Sequence, residues 1–174
     1  MLAPLTNLLL NDGCVTHGIK VHYRTVTVKE NTDVANVTYE VFVPVLPGLA
    51  LSPNSRSHWR RKMAATKELR GYVSTFILAD VRQQKWPGLP MQRAQITFEY
   101  RVCRKREGPD GYARPRDPDN AQAALKGLID GVVDAGIVIG DTGQQLTIRG
   151  TTIKEVESRQ EEGIAIAVEE ISTE

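Results

Sequence analysis

The predicted fold depends most on residues 119–141, DNAQAALKGLIDGVVDAGIVIGD. In residues 119–135 the aliphatic side chains recur three and four positions apart, a spacing typical of a helix that buries one face. Gly136 follows at the position where a left-handed residue commonly ends a helix. Residues 137–139 are all aliphatic and predict a short strand that leads to Asp141. The stretch therefore predicts a helix that packs on a sheet.

Two strands and a long helix are predicted in the domain before this stretch, and residues 20–29 of the chain also alternate as a strand does. Residues 36–45 and 94–103 alternate apolar and polar side chains, as strands with one buried face do. Residues 56–84 carry an apolar stripe at helical spacing, with Ser55 as the candidate N-cap and Gly71 as a point where the helix could be interrupted.

Two further strands are predicted after it, at residues 145–156 and 163–171. We expect them to form a hairpin across residues 157–162. The order of elements is strands, helix, strand, helix and strands. This order predicts an α+β fold in which a mixed β-sheet packs against two main helices on one face.

The length of 174 residues suits one domain with a proper core. We divide the chain into an N-terminal extension, residues 1–35, and a domain over residues 36–174. Cys14 and Cys103 lie far apart, and no Cys/His spacing typical of a zinc site is present. Neither a signal peptide nor a membrane-spanning segment is recognisable, so the cytoplasm is the expected location and no membrane partner is expected.

The net charge is +1, but the basic residues concentrate in two regions. One precedes and begins the long helix, and the other is a loop over residues 104–116 that is rich in Gly and Pro. Such clusters suit the phosphate backbone of DNA, although any single cluster is also typical of a solvated face. The candidate DNA-binding residues are Arg56, Arg60, Arg61, Arg104, Lys105, Arg106, Arg114 and Arg116.

Carboxylates crowd the start of the second helix, where Asp117 and Asp119 flank Pro118. Crowded carboxylates repel each other, and a divalent cation with oxygen ligands usually offsets the repulsion. At about 100° per residue, Lys126 and Asp130 fall within about 20° of Asp119. The aliphatic face of the helix is centred about 130° away, so the helix can bury one side and present these three polar residues on the other.

Each polar residue also has a structural interpretation. Asp117 before Pro suits a helix N-cap. Lys126 and Asp130 suit a surface ion pair, which is the favoured role for Asp130. Asp141 lies in a sequence with the composition of a turn. The convergence of three aspartates with a lysine and a basic loop favours a Mg²⁺ site.

Aromatic and histidine residues give weaker signals. His17, His22 and His58 lack any partner pattern and suit packing or surface roles. Trp59 could stack on a base, but in the first turn of a helix we expect it to be partly buried in the core.

The residues resemble the RusA-type Holliday junction resolvases, which phages and prophages often carry. The resemblance rests on Arg116-Asp117-Pro118-Asp119-Asn120, Lys126, Leu128-Ile129-Asp130-Gly131, Asp134-Ala135-Gly136-Ile137 and Asp141, with Ser52–Trp59 upstream. It covers roughly residues 36 to 171 and implies a RusA-like resolvase domain.

The resemblance implies that Asp117, Asp119 and Asp141 bind catalytic Mg²⁺, with Mn²⁺ as a substitute. It implies that Lys126 acts near the scissile phosphate. It further implies a homodimer that resolves a four-way DNA junction in recombination and repair by paired symmetric nicks, leaving 5′-phosphate and 3′-hydroxyl ends.

The chain departs from this family in two places. Gly140 stands where the first residue of an acidic pair is common, and the extension over residues 1–35 has no counterpart in short members. Two rival interpretations stay open. One is a non-catalytic DNA-binding or scaffolding protein that retains the fold, and the more remote one is a metal-dependent phosphohydrolase acting on nucleotides.

Overall fold

The computed structural model describes residues 38–52, 55–84, 86, 88–103, 121–122 and 124–171. The predicted extension, residues 1–35, lies outside the described residues. So does the loop over residues 104–116. No helix in the described part of the chain is long and apolar enough to cross a membrane.

The described strands form one mixed sheet, as predicted. They are β1 (Thr38–Val43), β2 (Ala94–Cys103), β3 (Leu146–Val156) and β4 (Gly163–Glu170). Their order in the sheet is β1-β4-β2-β3, with β4 antiparallel to both of its neighbours and β3 parallel to β2. The alternation in β1, β2 and β4 buries one face, on which the side chains of Tyr39, Phe98 and Ile166 are almost wholly inaccessible to solvent.

The predicted hairpin between the last two strands is wrong. β4 lies between β1 and β2, where Val168 is opposite Tyr39 and Ile166 is opposite Phe98. The connection from β3 to β4 therefore crosses the end of β2. There the Glu162 side chain accepts a hydrogen bond of 2.9 Å from the backbone N–H of Cys103, the last residue of β2. Alternation of side chains specifies which face of a strand is buried, but it does not specify the neighbouring strand.

Two helices cover the buried face, and this confirms the α+β architecture. They are α1 (Trp59–Gln84) and α2 (Leu125–Asp134). The two helices run in the same direction, because Gly127 lies against Thr66 and Gly131 lies against Val73. A Cβ atom at Gly131 would come 2.9 Å from Val73 Cβ, so glycine permits this close approach.

The ends of the helices differ from the prediction in part. α1 begins at Trp59, and the His58 imidazole accepts a hydrogen bond of 3.3 Å from Arg60 N–H, so Ser55 is not the cap. The Ser55 hydroxyl instead accepts from the N–H of Ser57. α1 continues through Gly71 without interruption. Gly136, which follows the C-cap residue Ala135 of α2, has φ 74°, and this confirms its predicted role.

Two segments beside α2 also need correction. The helix predicted over residues 119–135 contains a turn at Ala124, between helical residues 121–122 and α2. Residues 137–139 do not form a strand and contribute a single parallel bridge between Val138 and Met91. This segment pairs only with Met91, which lies in the chain just before β2, so no regular strand pairing forms.

A buried polar cluster joins α1 to β1. The Tyr39 hydroxyl donates to Asp80 at 2.9 Å, and the Gln84 amide donates to the same carboxylate at 2.7 Å. Burial raises the pKa of Asp80, and burial together with the Asp80 charge raises the pKa of Tyr39. The apolar periodicity of α1 gave no sign of this carboxylate in the core.

Candidate functional site

Helix α2 separates its apolar and polar sides as its periodicity predicts. Leu128 and Val132 are fully buried, whereas the Lys126 side chain is 74% exposed. The Lys126 ammonium lies 3.5 Å from the Asp130 carboxylate one turn later. The predicted surface ion pair is thereby confirmed, and Asp130 takes the structural role that we favoured for it.

Arg70 on α1 connects these residues to a second carboxylate. Its guanidinium donates two hydrogen bonds to Asp134, with Nε–Oδ2 at 2.5 Å and Nη2–Oδ1 at 2.7 Å. Nη1 also lies 3.4 Å from Oδ2 of Asp130, whose other oxygen faces Lys126. Asp130 is therefore shared between a cation on α1 and a cation on α2.

The electrostatics of this cluster follow from its geometry. The hydrogen bond from Arg70 lowers the pKa of Asp134. The bond to Asp134 is also the main cause that raises the pKa of Arg70, with smaller contributions from the charges of Asp130 and Asp141. We call Arg70, Lys126, Asp130 and Asp134, which these hydrogen bonds and ion pairs join, the polar cluster.

Asp141 is exposed and lies between two fixed points of the backbone. Before it, Met91 N–H donates to Ile137 at 2.8 Å and Ile139 N–H donates to Met91 at 3.2 Å. After it, a turn brings Gln145 N–H to within 2.8 Å of the Thr142 carbonyl. Asp141 therefore precedes a turn, as its sequence context suggested, and its position is set by contacts on both sides.

Gly140, where the resembled family commonly has an acid, lies against Gln145. A Cβ atom at position 140 would overlap the Gln145 side chain, which accepts a hydrogen bond of 2.9 Å from the Thr142 hydroxyl. A carboxylate at this position would therefore require the Gln145 side chain to move.

The described carboxylates do not complete a metal site by themselves. Among the residues that the structure describes, no group of three His, Cys, Asp or Glu side chains is placed to hold a metal ion. Asp130 and Asp134 are bound by Arg70, while Asp141 presents an exposed oxygen donor of the type that Mg²⁺ prefers. Asp117 and Asp119, the other predicted ligands, lie outside the described residues.

The chain that follows Asp119 is nevertheless anchored to the core. The hydroxyl of Tyr100, a fully buried residue of β2, donates to the carbonyl oxygen of Ala121 at 3.1 Å. Helical residues 121–122 lead on through Ala124 to α2 and Lys126. The hydrogen bond from Tyr100 thus holds the chain in place just before α2, the helix that carries Lys126.

The basic start of α1 is exposed. Arg56, Arg60 and Arg61 all lie at the surface, whereas the other five predicted DNA-binding residues (Arg104, Lys105, Arg106, Arg114 and Arg116) lie outside the described residues. Trp59 is 58% exposed, so the expectation that it is partly buried in the core is wrong. α1 begins only at Trp59, and its buried residues start with Leu69.

Sequence reasoning missed Arg70 and Asp134 as partners. They are 64 residues apart in the chain, and neither belongs to a local pattern that names the other. Arg70 was visible only as one of several basic residues on a helix. The close contact of Gly131 with Val73, which brings the two helices together, could likewise not be predicted from the sequence.

Comparison with known proteins shows a partial similarity to a distant relative. No family model matches the chain. An uncharacterized protein of Xylella fastidiosa (strain Temecula1 / ATCC 700964) is 33% identical over 92 residues, which is 51% of this chain and 52% of that protein. The match thus spans about half of each protein, and the relative itself is uncharacterized.

Proposed function

We propose that this protein is a Mg²⁺-dependent endodeoxyribonuclease that resolves four-way DNA junctions by paired symmetric nicks. One observation carries the proposal. Of the two predicted catalytic residues that the structure describes, Lys126 belongs to the polar cluster around Arg70, and Asp141 is exposed seven residues after the end of α2. A lysine held by an ion pair and an exposed carboxylate suit the cleavage of a phosphodiester, which needs charge neutralisation and an oxygen ligand for a cation.

The residues would divide the reaction among them. Asp117, Asp119 and Asp141 would hold Mg²⁺, whose chemistry there is activation of the attacking water and polarisation of the phosphodiester. Mn²⁺ would substitute, because it accepts the same oxygen ligands. The Lys126 ammonium would neutralise the charge that grows on the phosphate oxygens.

Asp130 and Arg70 would act by positioning. The Asp130 carboxylate holds the Lys126 ammonium at 3.5 Å, and Arg70 limits the movement of Asp130 from the other side. The bidentate bond from Arg70 to Asp134 fixes the guanidinium in turn. Lys126 is thus presented on a supported helix face, which suits a catalytic cation.

The exposed arginines at the start of α1 would bind flanking phosphates, together with the arginines and lysine of the loop over residues 104–116. Two copies of the chain related by a two-fold axis would match the near two-fold symmetry of a junction and cut two strands symmetrically. Such a homodimer would act on branched DNA in the cytoplasm during recombination and repair.

A cleavage assay on a synthetic four-way junction tests this function. We expect nicking by the wild-type protein in Mg²⁺, none in EDTA, and none by Asp119→Asn, which should still bind the junction. Glu157→Gln, a charge-neutralising change at an exposed residue after β3, is the matched control and should cleave normally. Full cleavage by Asp119→Asn would overturn the metal assignment.

Gly140 favours a second candidate, a DNA-binding or scaffolding protein that no longer cleaves. The Gln145 side chain occupies the space that an acid at position 140 would need. This candidate predicts junction binding without nicking at any Mg²⁺ or Mn²⁺ concentration. The variant Gly140→Asp combined with Gln145→Ala would then gain cleavage, whereas Gln145→Ala alone would not.

A further inference from the structure

Two large apolar side chains are exposed on the first turns of α1. Trp59 is 58% exposed and Met63 is 64% exposed. The Arg60 guanidinium lies 5.3 Å from the centre of the indole ring, and the His58 ring lies 5.6 Å away at 36°. An exposed flat aromatic face beside a guanidinium is a surface on which proteins stack nucleobases.

The position of Trp59 on α1 connects it with the polar cluster. At about 100° per residue, Trp59, Met63, Thr66 and Arg70 lie within an arc of about 60° on one side of the helix. Thr66 and Arg70 are residues through which α1 meets α2. Trp59 therefore lies on the side of α1 that faces α2.

The relative direction of the two helices shows how far along α1 Trp59 lies with respect to α2. α1 and α2 run in the same direction, with Thr66 level with Gly127. Trp59 lies about 10 Å before Thr66 along the axis of α1. This places Trp59 at the end of the helix pair from which the chain enters α2 through residues 121–122. In the sequence, the predicted metal ligand Asp119 precedes these residues.

The charges around Trp59 select the class of ligand. Residues 55–67, SRSHWRRKMAATK, contain five Lys and Arg residues and no Asp or Glu. A polyanion complements such a surface, and an exposed indole within it gives an unpaired base a face on which to stack. Bases inside a continuous duplex are stacked on each other and leave no free face for the indole.

We propose that Trp59, flanked by Arg60 and Arg61, is a stacking platform for an unpaired nucleobase of DNA. The proposal deepens the proposed function and rests on it for the choice of DNA as the ligand. Continuous stacking ends at the branch point of a branched substrate, so a base that leaves its pair there would find a free face on the indole. Trp59 would hold such a base while the arginines hold the adjoining phosphates.

A metal-free titration of the full chain with oligo(dT) in EDTA tests the platform. We expect tryptophan fluorescence to be quenched on binding, because the exposed indole of Trp59 stacks on thymine while Trp86 is partly buried beside Tyr39. Trp59→Ala should bind about tenfold more weakly, and Trp59→Phe should recover much of the affinity. Tyr72→Ala, which removes another exposed aromatic ring from α1, should bind like wild type.

Two results would overturn the platform. The first is unchanged affinity of Trp59→Ala for oligo(dT); a change in the oligomeric state of that variant would then assign the indole to a contact between copies of the chain. The second is equal quenching by oligo(dT) and by a blunt duplex of the same length. The titration measures binding and not cleavage. A negative result here would therefore contradict the platform and leave the nuclease proposal to its own cleavage assay.

Discussion

Arg70 and Asp134 join the two helices by a bidentate ion pair, although they are 64 residues apart in the chain. The same guanidinium approaches Asp130, which also holds Lys126. A cation on α1 therefore organises the acidic residues of α2.

We expect Arg70→Lys to weaken the contact between the helices, because an ammonium cannot reproduce the two parallel hydrogen bonds of a guanidinium. The melting temperature should fall at neutral pH, and more so for Arg70→Ala. Arg82→Lys, at an exposed position in the last turn of the same helix, is the control and should melt like wild type.

The pH dependence of Arg70→Ala gives a second measurement. The pKa of Asp134 is lowered in the folded state. Its contribution to stability is therefore present above the ordinary Asp pKa of about 4 and disappears as pH falls through the lowered value. The difference in melting temperature between Arg70→Ala and wild type should shrink on acidification through this range. A difference that does not change with pH would contradict the ion pair.

Gly131→Ala should destabilise the protein by about 1–3 kcal/mol. The added Cβ would lie 2.9 Å from Val73 Cβ and 3.0 Å from the Arg70 carbonyl oxygen, so the helices must separate. Gly71→Ala is the matched control, because nothing lies within 4 Å of the added atom. In the interior of a helix it should stabilise the fold by about 0.5–1 kcal/mol. Denaturant unfolding measures both changes, and equal effects would exclude close packing as the cause.

Asp80→Asn should change how stability depends on pH. The pKa of Asp80 is raised by burial, so its contribution to stability is complete below the ordinary Asp pKa of about 4 and is lost as pH rises through the raised value. Asparagine does not ionise, so this loss on raising the pH should be absent from the variant. Unfolding followed between pH 4 and pH 7 makes the comparison. Parallel curves for the two proteins would contradict the raised pKa.

Lys126→Ala should reduce junction cleavage about 10²- to 10³-fold and leave junction affinity nearly unchanged. The side chain is exposed, so its removal should not disturb the core. Lys154→Ala, at an exposed position on β3, is the control for loss of one positive charge. Single-turnover cleavage separates the chemical step from binding. An equal loss in both variants would remove Lys126 from the proposed chemistry.

Local periodicity predicted much of the fold. The alternation in β2 matched the observed strand at both ends, and the spacing in α1 identified Leu69, Val73 and Ile77 as core residues. Helical geometry also placed Lys126 beside Asp130. These features depend on neighbours within a few residues, which a single sequence contains.

Features that depend on distant parts of the chain could not be predicted in the same way. The position of β4 between β1 and β2 depends on pairing that alternation does not encode. The burial of Asp80 follows from a hydroxyl on another strand, and the contacts of Arg70 follow from a helix that lies far along the chain. The exposure of Trp59 likewise depends on where the neighbouring elements end.

The order of the strands has a consequence for synthesis and folding. Among the described strands, β1 pairs only with β4, which is the last to leave the ribosome. Of the described strands, β1 therefore gains its pairing partner only after residues 163–170 have been made, and the described sheet is completed at its centre. A chain terminated before Gly163 would lose an interior strand, and its sheet would separate into β1 on one side and the β2–β3 pair on the other.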